Sequence, residues 1–249
     1  MSRVNRISSI FFFTFLFSLS SFSLYAQQNL FNIPSGDVTP EGKIFYQHQL
    51  NVYQHKLESK GHFVYGLGKG WDAGVNLVGK GAYFTEDWRL SYNSDANSGS
   101  VYPNLLASLQ KQIKLTDKLY LNAGTQIGWN LSNKLNNKNL NFFSYGLLSH
   151  KIGEGSKVAV GLYHGNRMFL GNGNDTGVLV GYEFKLSKRF YLMGDWISGS
   201  NNEGAAVIGG MYNISKRVQI CSGWLLPNSQ NPKPQGIVLE INILGWNLW

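Results

Sequence analysis

The sequence predicts an all-β chain folded as a transmembrane up-and-down antiparallel β-barrel of about 12 strands. Three observations carry this reading. Beyond Gly42, apolar and polar residues alternate with a period of two, and no long stretch follows a helical period. The connections between alternating stretches are by turns short and long. Charged residues make up only 14% of the 249 residues, against about 25% in a typical water-soluble domain. A chain that shows lipid on one face and water on the other has such a composition.

The N-terminus sets the compartment. Arg3 and Arg6 precede an apolar run from Ile10 to Phe17, and a Ser-rich segment ends at Tyr25-Ala26. Residues 1–26 therefore read as a secretory signal peptide, with Gln27 as the mature N-terminus. The apolar core is shorter than the ~20 residues of a spanning helix. No cysteine near the cleavage site offers a lipoprotein anchor. Residues 27–42 are expected to form an N-terminal periplasmic segment or partial plug, and 43–249 the barrel. The expected address is the outer membrane of a Gram-negative bacterium.

Leu119 to Leu131 shows the strand signal most clearly. Leu119, Leu121, Ala123, Thr125, Ile127, Trp129 and Leu131 share one face; Tyr120, Asn122, Gly124, Gln126, Gly128 and Asn130 share the other. The same pattern places strands near 43–53, 61–68, 71–79, 104–114, 119–131, 141–151, 157–165, 176–185, 189–198, 205–214, 218–226 and 236–246. Short turns such as Gly68-Lys69-Gly70 and Leu186-Ser187-Lys188 alternate with mostly longer loops at 54–60, 80–103, 132–140, 166–175, 199–204 and 227–235. Both termini then fall on the short-turn side, which such barrels place in the periplasm. In the last strand the odd positions from Ile237 onward are largely apolar and close on Trp249, with Asn247 as the exception. This resembles the C-terminal signal recognised by the barrel-assembly machinery, which the resemblance implies as a partner alongside outer-membrane lipid.

Parity sorts lumen from lipid. Gln47, Gln49, Asp72, Asn76, Gln110, Gln112, Asn122, Gln126, Glu183, Asp195, Glu240 and Asn242 are the lumen-lining candidates, with Asn51, Ser108, Asn130 and Lys185 on the same parity. The set is mostly amides and hydroxyls, so a mostly uncharged polar lumen is expected. Asp72, Glu183, Asp195 and Glu240 either tune selectivity or pair with Lys43, Lys157 or Lys185 inside a closed barrel. Val178, Val180, Tyr182, Phe184, Leu192 and Ile220 are expected to face lipid. Trp71, Trp129, Trp196, Trp224 and Tyr46 suit interfacial girdles. Lys111 shares parity with lipid-facing Leu109 and Ile113, so either its stem snorkels or the strand has a bulge there.

No catalytic set, cofactor or metal site is predicted. Outer-membrane lipid hydrolases place a serine two residues after an outward histidine; here His164 is followed by Asn166, which is no nucleophile. Ser149 and His150 are adjacent and face opposite ways, and His48 and His62 have no apparent serine on their own face. Gly171-Asn172-Gly173-Asn174-Asp175 lacks the residues of a phosphate or calcium loop. The lone Cys221 rules out an internal disulfide framework. The +8 formal charge is scattered, which speaks against a nucleic-acid partner.

Two stretches carry a family resemblance. Gly194-Asp195-Trp196-Ile197-Ser198-Gly199 and Ser222-Gly223-Trp224-Leu225-Leu226-Pro227-Asn228 are similar to the meta-pathway phenol-degradation outer-membrane family and related porin-like proteins. Asn32-Ile33-Pro34-Ser35-Gly36-Asp37-Val38-Thr39-Pro40 and Tyr65 to Gly74 resemble Bacteroidetes-like members. The resemblance implies a porin-like protein passing small organic or aromatic solutes, with no catalytic residue to carry over. The functional expectation is passive diffusion of small, neutral or weakly charged solutes. Its alternative is a closed structural or adhesive barrel whose loops meet a partner, and a lipid hydrolase comes third. Should 27–42 fold inside and fill the lumen, the simple channel fails.

Overall fold

The computed structural model describes residues 29–84, 88–95, 97–131 and 140–247; the expected signal peptide and Trp249 lie outside them. The twelve long strands are β1 (Lys43–Val52), β2 (Lys56–Gly68), β3 (Trp71–Tyr83), β5 (Asn104–Lys114), β6 (Leu119–Asn130), β7 (Leu140–Lys151), β8 (Lys157–Gly165), β9 (Thr176–Lys185), β10 (Phe190–Ile197), β11 (Ala205–Asn213), β12 (Val218–Pro227) and β13 (Gly236–Asn247). Each pairs antiparallel with its neighbours, and β1 pairs with β13 as well as β2, so the sheet closes on itself. Closure satisfies every strand edge, the condition for a sheet to cross hydrocarbon. The two-residue β4 (Leu90–Ser91) adds only to the tip of β3.

Two strands exceed their expected bounds. β2 begins at Lys56 and β3 runs to Tyr83, so the expected 54–60 loop shrinks to a tight connection. The cause is visible in Lys56-Leu57-Glu58-Ser59-Lys60: the charges alternate and point inward, where they pair with one another or with loop residues. Charge density mimics a loop while its two-residue period is that of a strand. Loop 166–175 contains one helical turn, α1 (Arg167–Leu170), whose N-cap Asn166 accepts from the Phe169 N–H.

The outer wall is apolar. Val75, Leu109, Ile127, Val160, Leu162, Ile208, Ile237 and Leu239 are all exposed, far more contiguous apolar surface than a water-soluble monomer shows. Lipid is the solvent that accounts for it, and the architecture is that of an outer-membrane β-barrel. At the short-turn rim, cations lie over rings: Lys111 over Trp71 at 4.9 Å, Lys151 over Tyr120 at 4.6 Å and Arg217 over Trp246 at 5.5 Å. Lys111 also donates to the Lys69 carbonyl at 2.6 Å, and the β5 register is unbroken on both sides. It snorkels; there is no bulge. Trp129, Trp196 and Trp224 are exposed toward the long-loop rim.

Residues 29–40 lie inside the barrel. Leu30, Phe31, Ile33 and Ser35 are fully buried. Here the expected polar lumen needs correction, because its wall has two halves. From β8 to β13 it presents Leu179, Met193, Val207, Met211, Cys221 and Val238, which enclose Phe31 or, with Tyr163, Leu30 and Ile33. Most of the amides lie on β1 to β7, while Asn213, Gln219 and Asn242, with the acids Glu183, Asp195 and Glu240, are set among the apolar residues of β9 to β13. Parity reasoning ranked only polar inward residues and overlooked the apolar ones sharing their face. Leu30 seats where β9 carries no side chain, against Gly181, and a Cβ there would overlap it. Gly181→Leu should therefore expel the segment, read as new proteolytic cleavage before Lys43 in barrels that remain folded.

Candidate functional site

The inner segment is stitched to the wall by carboxylates and amides. Asp195 on β10 accepts from the Ile33 N–H at 3.0 Å and from the Asn32 N–H. Asp72 on β3 accepts from the Thr39 N–H at 2.9 Å. Gln110 donates to the Asp37 carbonyl at 3.0 Å, and Gln112 to that of Gly36. Gln47 accepts from Asn29 at 2.8 Å and donates to Glu240 at 3.2 Å. Lys157 bridges Asp37 and Glu183, the latter at 3.5 Å. Such charge-assisted bonds in a water-poor interior are individually strong.

Asp72 and Asp195 are thus anchors for the chain's own backbone, and Glu183 is one arm of a Lys157 pair. Of the remaining candidates, Gln49 meets the Asn32 amide at 3.1 Å, Asn76 donates to Gln126 at 3.0 Å, Asn122 to Ser149 at 3.2 Å, and Asn242 lies against Cys221. Asp195→Ala removes the acceptor of two buried N–H groups, each left unsatisfied at about 1–3 kcal/mol. Hydrogen exchange at Asn32 and Ile33 should rise steeply while the β-ladder stays protected.

Above the segment, toward the long loops, a chamber of about 100 Å³ remains. Phe31, Tyr102, Phe143, Phe169 and Ile197 line it together with Gln49, His62, Asn104 and Gln126. Its charged rim is a cluster that the sequence reading missed. Lys233 lies 3.3 Å from Glu203 and 4.0 Å from Glu58; Lys60 lies 3.6 Å from Glu203, and Lys56 2.8 Å from Glu58. Tyr53 donates to Glu58 at 3.3 Å, and Lys60 reaches the Asn32 amide oxygen of the inner segment at 3.5 Å. Lys60 and Lys233 balance Glu58 and Glu203 in the chamber lining, and Lys56 adds a third ammonium group outside it. Burial alone would push Glu203 up, but Lys233 and Lys60 outweigh it and hold the carboxyl below its ordinary range. Burial likewise opposes the Lys233 ammonium, yet Glu203 and Glu58 raise it above the usual lysine value.

The loops over this chamber interlock through asparagines. Asn201 donates to Tyr163 at 2.8 Å and to the Asn174 carbonyl at 2.6 Å, and Asn228 donates to the carbonyls of Ile197 and Gly199. Outside them, Trp88, Leu90 and Tyr92 of the 80–103 loop are exposed.

On the outer wall two expectations change. His164 bonds Thr176 Oγ1 at 3.0 Å, and Asn166 serves as a helix cap. His48 does have a serine on its face: Ser59 Oγ lies 3.2 Å from Nε2, and Tyr46 Oη lies 3.1 Å from Nδ1. Tyr46, expected in a girdle, is also the hydrogen-bond partner of His48. The Ser59 pairing escapes sequence reading because its segment looks like a loop.

No family model matches the chain, so the phenol-degradation likeness drawn from its motifs has no counterpart there. No curated protein matches it either. Among solved structures it is similar to the toluene transporter TbuX of Ralstonia pickettii, at 10% identity and a TM-score of 0.47, over 92% of this chain and 100% of that one. It is also similar to OmpT, an outer membrane protein of Vibrio cholerae, in its trimer form, at 10% identity and a TM-score of 0.38, over 82% of this chain and 98% of the other.

Proposed function

We propose that this chain is an outer-membrane conduit for small organic solutes, closed by its own N-terminal segment until a solute in the outer chamber loosens that segment. The observation that carries this reading is the chamber itself. A closed barrel with a purely structural role has no need of a space lined by aromatic rings and amides, with the Lys60 and Lys233 ammonium groups among them. Its volume of about 100 Å³ is on the scale that takes a single aromatic ring. The preferred solute is a small aromatic that is neutral or carries one negative charge. Free diffusion through an always open pore does not fit the filled lumen.

Uptake of radiolabelled benzoate into proteoliposomes tests the idea. Entry should exceed that into protein-free vesicles, fall with Lys233→Met, and greatly exceed entry of sucrose. Benzoate uptake equal to that of empty vesicles, with the barrel folded, would leave the closed structural barrel as the better reading.

A further inference from the structure

The outer wall carries a polar constellation that the plugged lumen does not use. Even-numbered residues of β1 face outward, Tyr46 and His48 among them. Ser59 of β2 pairs with Leu50 and so shares that face, where its neighbours leave it only 7% exposed. The three side chains form one chain of hydrogen bonds: Ser59 Oγ to His48 Nε2 at 3.2 Å, and His48 Nδ1 to Tyr46 Oη at 3.1 Å. The Tyr46 and His48 rings stack, with centroids 6.3 Å apart. Gly61, the register partner of His48, adds no side chain beside the imidazole. The β2–β3 register shifts between Ser59 and Gly61, an irregularity of the kind that re-aims side chains next to functional sites. Lys80, the partner of Ser59 on β3, is exposed.

Polar side chains facing hydrocarbon are unfavourable. A hydroxyl, an imidazole and a group orienting that imidazole are also what nucleophilic acyl transfer requires. Ser59 lies one outward row, about 7 Å along the strands, from the row that joins Val52, Ile237 and the exposed Trp224.

We propose that Ser59, His48 and Tyr46 form an ester-hydrolysing site on the lipid-facing wall, acting on the acyl esters of membrane lipids that reach it from the bilayer. With Tyr46 Oη accepting from the Nδ1–H, Nε2 is free to accept the Ser59 proton. Ser59 Oγ attacks the ester carbonyl carbon as its proton passes to His48, and Lys80 supplies positive charge to the resulting oxyanion. Collapse breaks the acyl C–O bond, and His48 returns the proton to the leaving alkoxide. Water then attacks the acyl-serine through the same base, releasing the fatty acid and restoring Ser59. The site is independent of the lumen and of the transport reading.

The test uses the full folded barrel in mixed micelles with a short-chain phosphatidylethanolamine, and separately a fluorophosphonate probe. Fatty-acid release is expected, together with a probe adduct on the peptide containing Ser59. Ser59→Ala should abolish both. His48→Ala should lower release by at least about a hundredfold, and Tyr46→Phe severalfold. Ser222→Ala, another outward serine, should leave both unchanged, and heat-modifiable gel migration checks that each variant is folded. A folded wild-type barrel that neither releases fatty acid nor takes the probe overturns the proposal. So does an adduct that persists in Ser59→Ala.

Discussion

Deleting residues 29–40 should turn a silent barrel into a conducting one, with single-channel current at least about tenfold above that of the full chain. Barrels of about 8 strands are filled by their own side chains and those of about 16 enclose water; twelve strands leave a lumen that something else must fill. In this chain Leu30, Phe31 and Ile33 fill the apolar half, and the backbone from Asn32 to Thr39 satisfies the polar half. Losing the three side chains gives up roughly 1.5–3 kcal/mol each, an upper bound because the open lumen also relaxes. The β-ladder is continuous without the segment, so the barrel should survive with a lower melting temperature. Phe31→Ala is the graded version, destabilising by about 3–5 kcal/mol and giving brief openings in place of a steady current. Planar-bilayer recording distinguishes the outcomes. Silence from a folded deletion variant would mean that the wall closes the lumen unaided.

The second large effect concerns the rim of the outer chamber. Glu203→Gln should destabilise the loop cap by about 3–5 kcal/mol, because Lys233 and Lys60 would be left as unbalanced buried charges. Acid should act in the same direction. Glu203 is held below its ordinary value, so its contribution is present above about pH 4.5 and is lost as pH falls through the depressed value. Lys233 is held above its ordinary value, so its contribution is present below about pH 10.5 and fades only as pH rises past that. Hydrogen-exchange protection, relative to the intrinsic rate at each pH, should therefore be high and flat in residues 228–235 between these limits. It should fall sharply in acid, and Glu203→Gln should be poorly protected throughout. Protection that is indifferent to acid would remove the ionic cluster from the account.

Architecture was legible because alternation and connection length are local signals. Leu119 to Leu131 announces its two faces within a dozen residues, and the strand order follows from hairpins alone. The site was less legible because it depends on distant partners. Asp195 reads as an inward acid, but nothing near it in sequence says that its partners are the N–H groups of Asn32 and Ile33. The Glu58–Lys233–Glu203 cluster joins three separate segments. Its one local trace is the alternation of Lys56, Glu58 and Lys60, which resembles solvated loop sequence. Met193, Val207 and Val238 were hidden differently: in a membrane barrel an apolar residue on the inward parity looks like an error until something apolar covers it.

The seam between β1 and β13 has a consequence for how the molecule comes to be. Those strands stand at opposite ends of the chain, so their pairing joins residues about two hundred positions apart, the slowest class of contact to form. The inner segment runs directly into β1 and is roofed by loops that interlock across the mouth. Threading it into a finished cylinder from the short-turn end would mean forcing Leu30, Phe31 and Ile33 past the walls that bury them. The simpler order of events is that the cylinder wraps around its own leader while the seam is still open, and the last strand to dock locks it in.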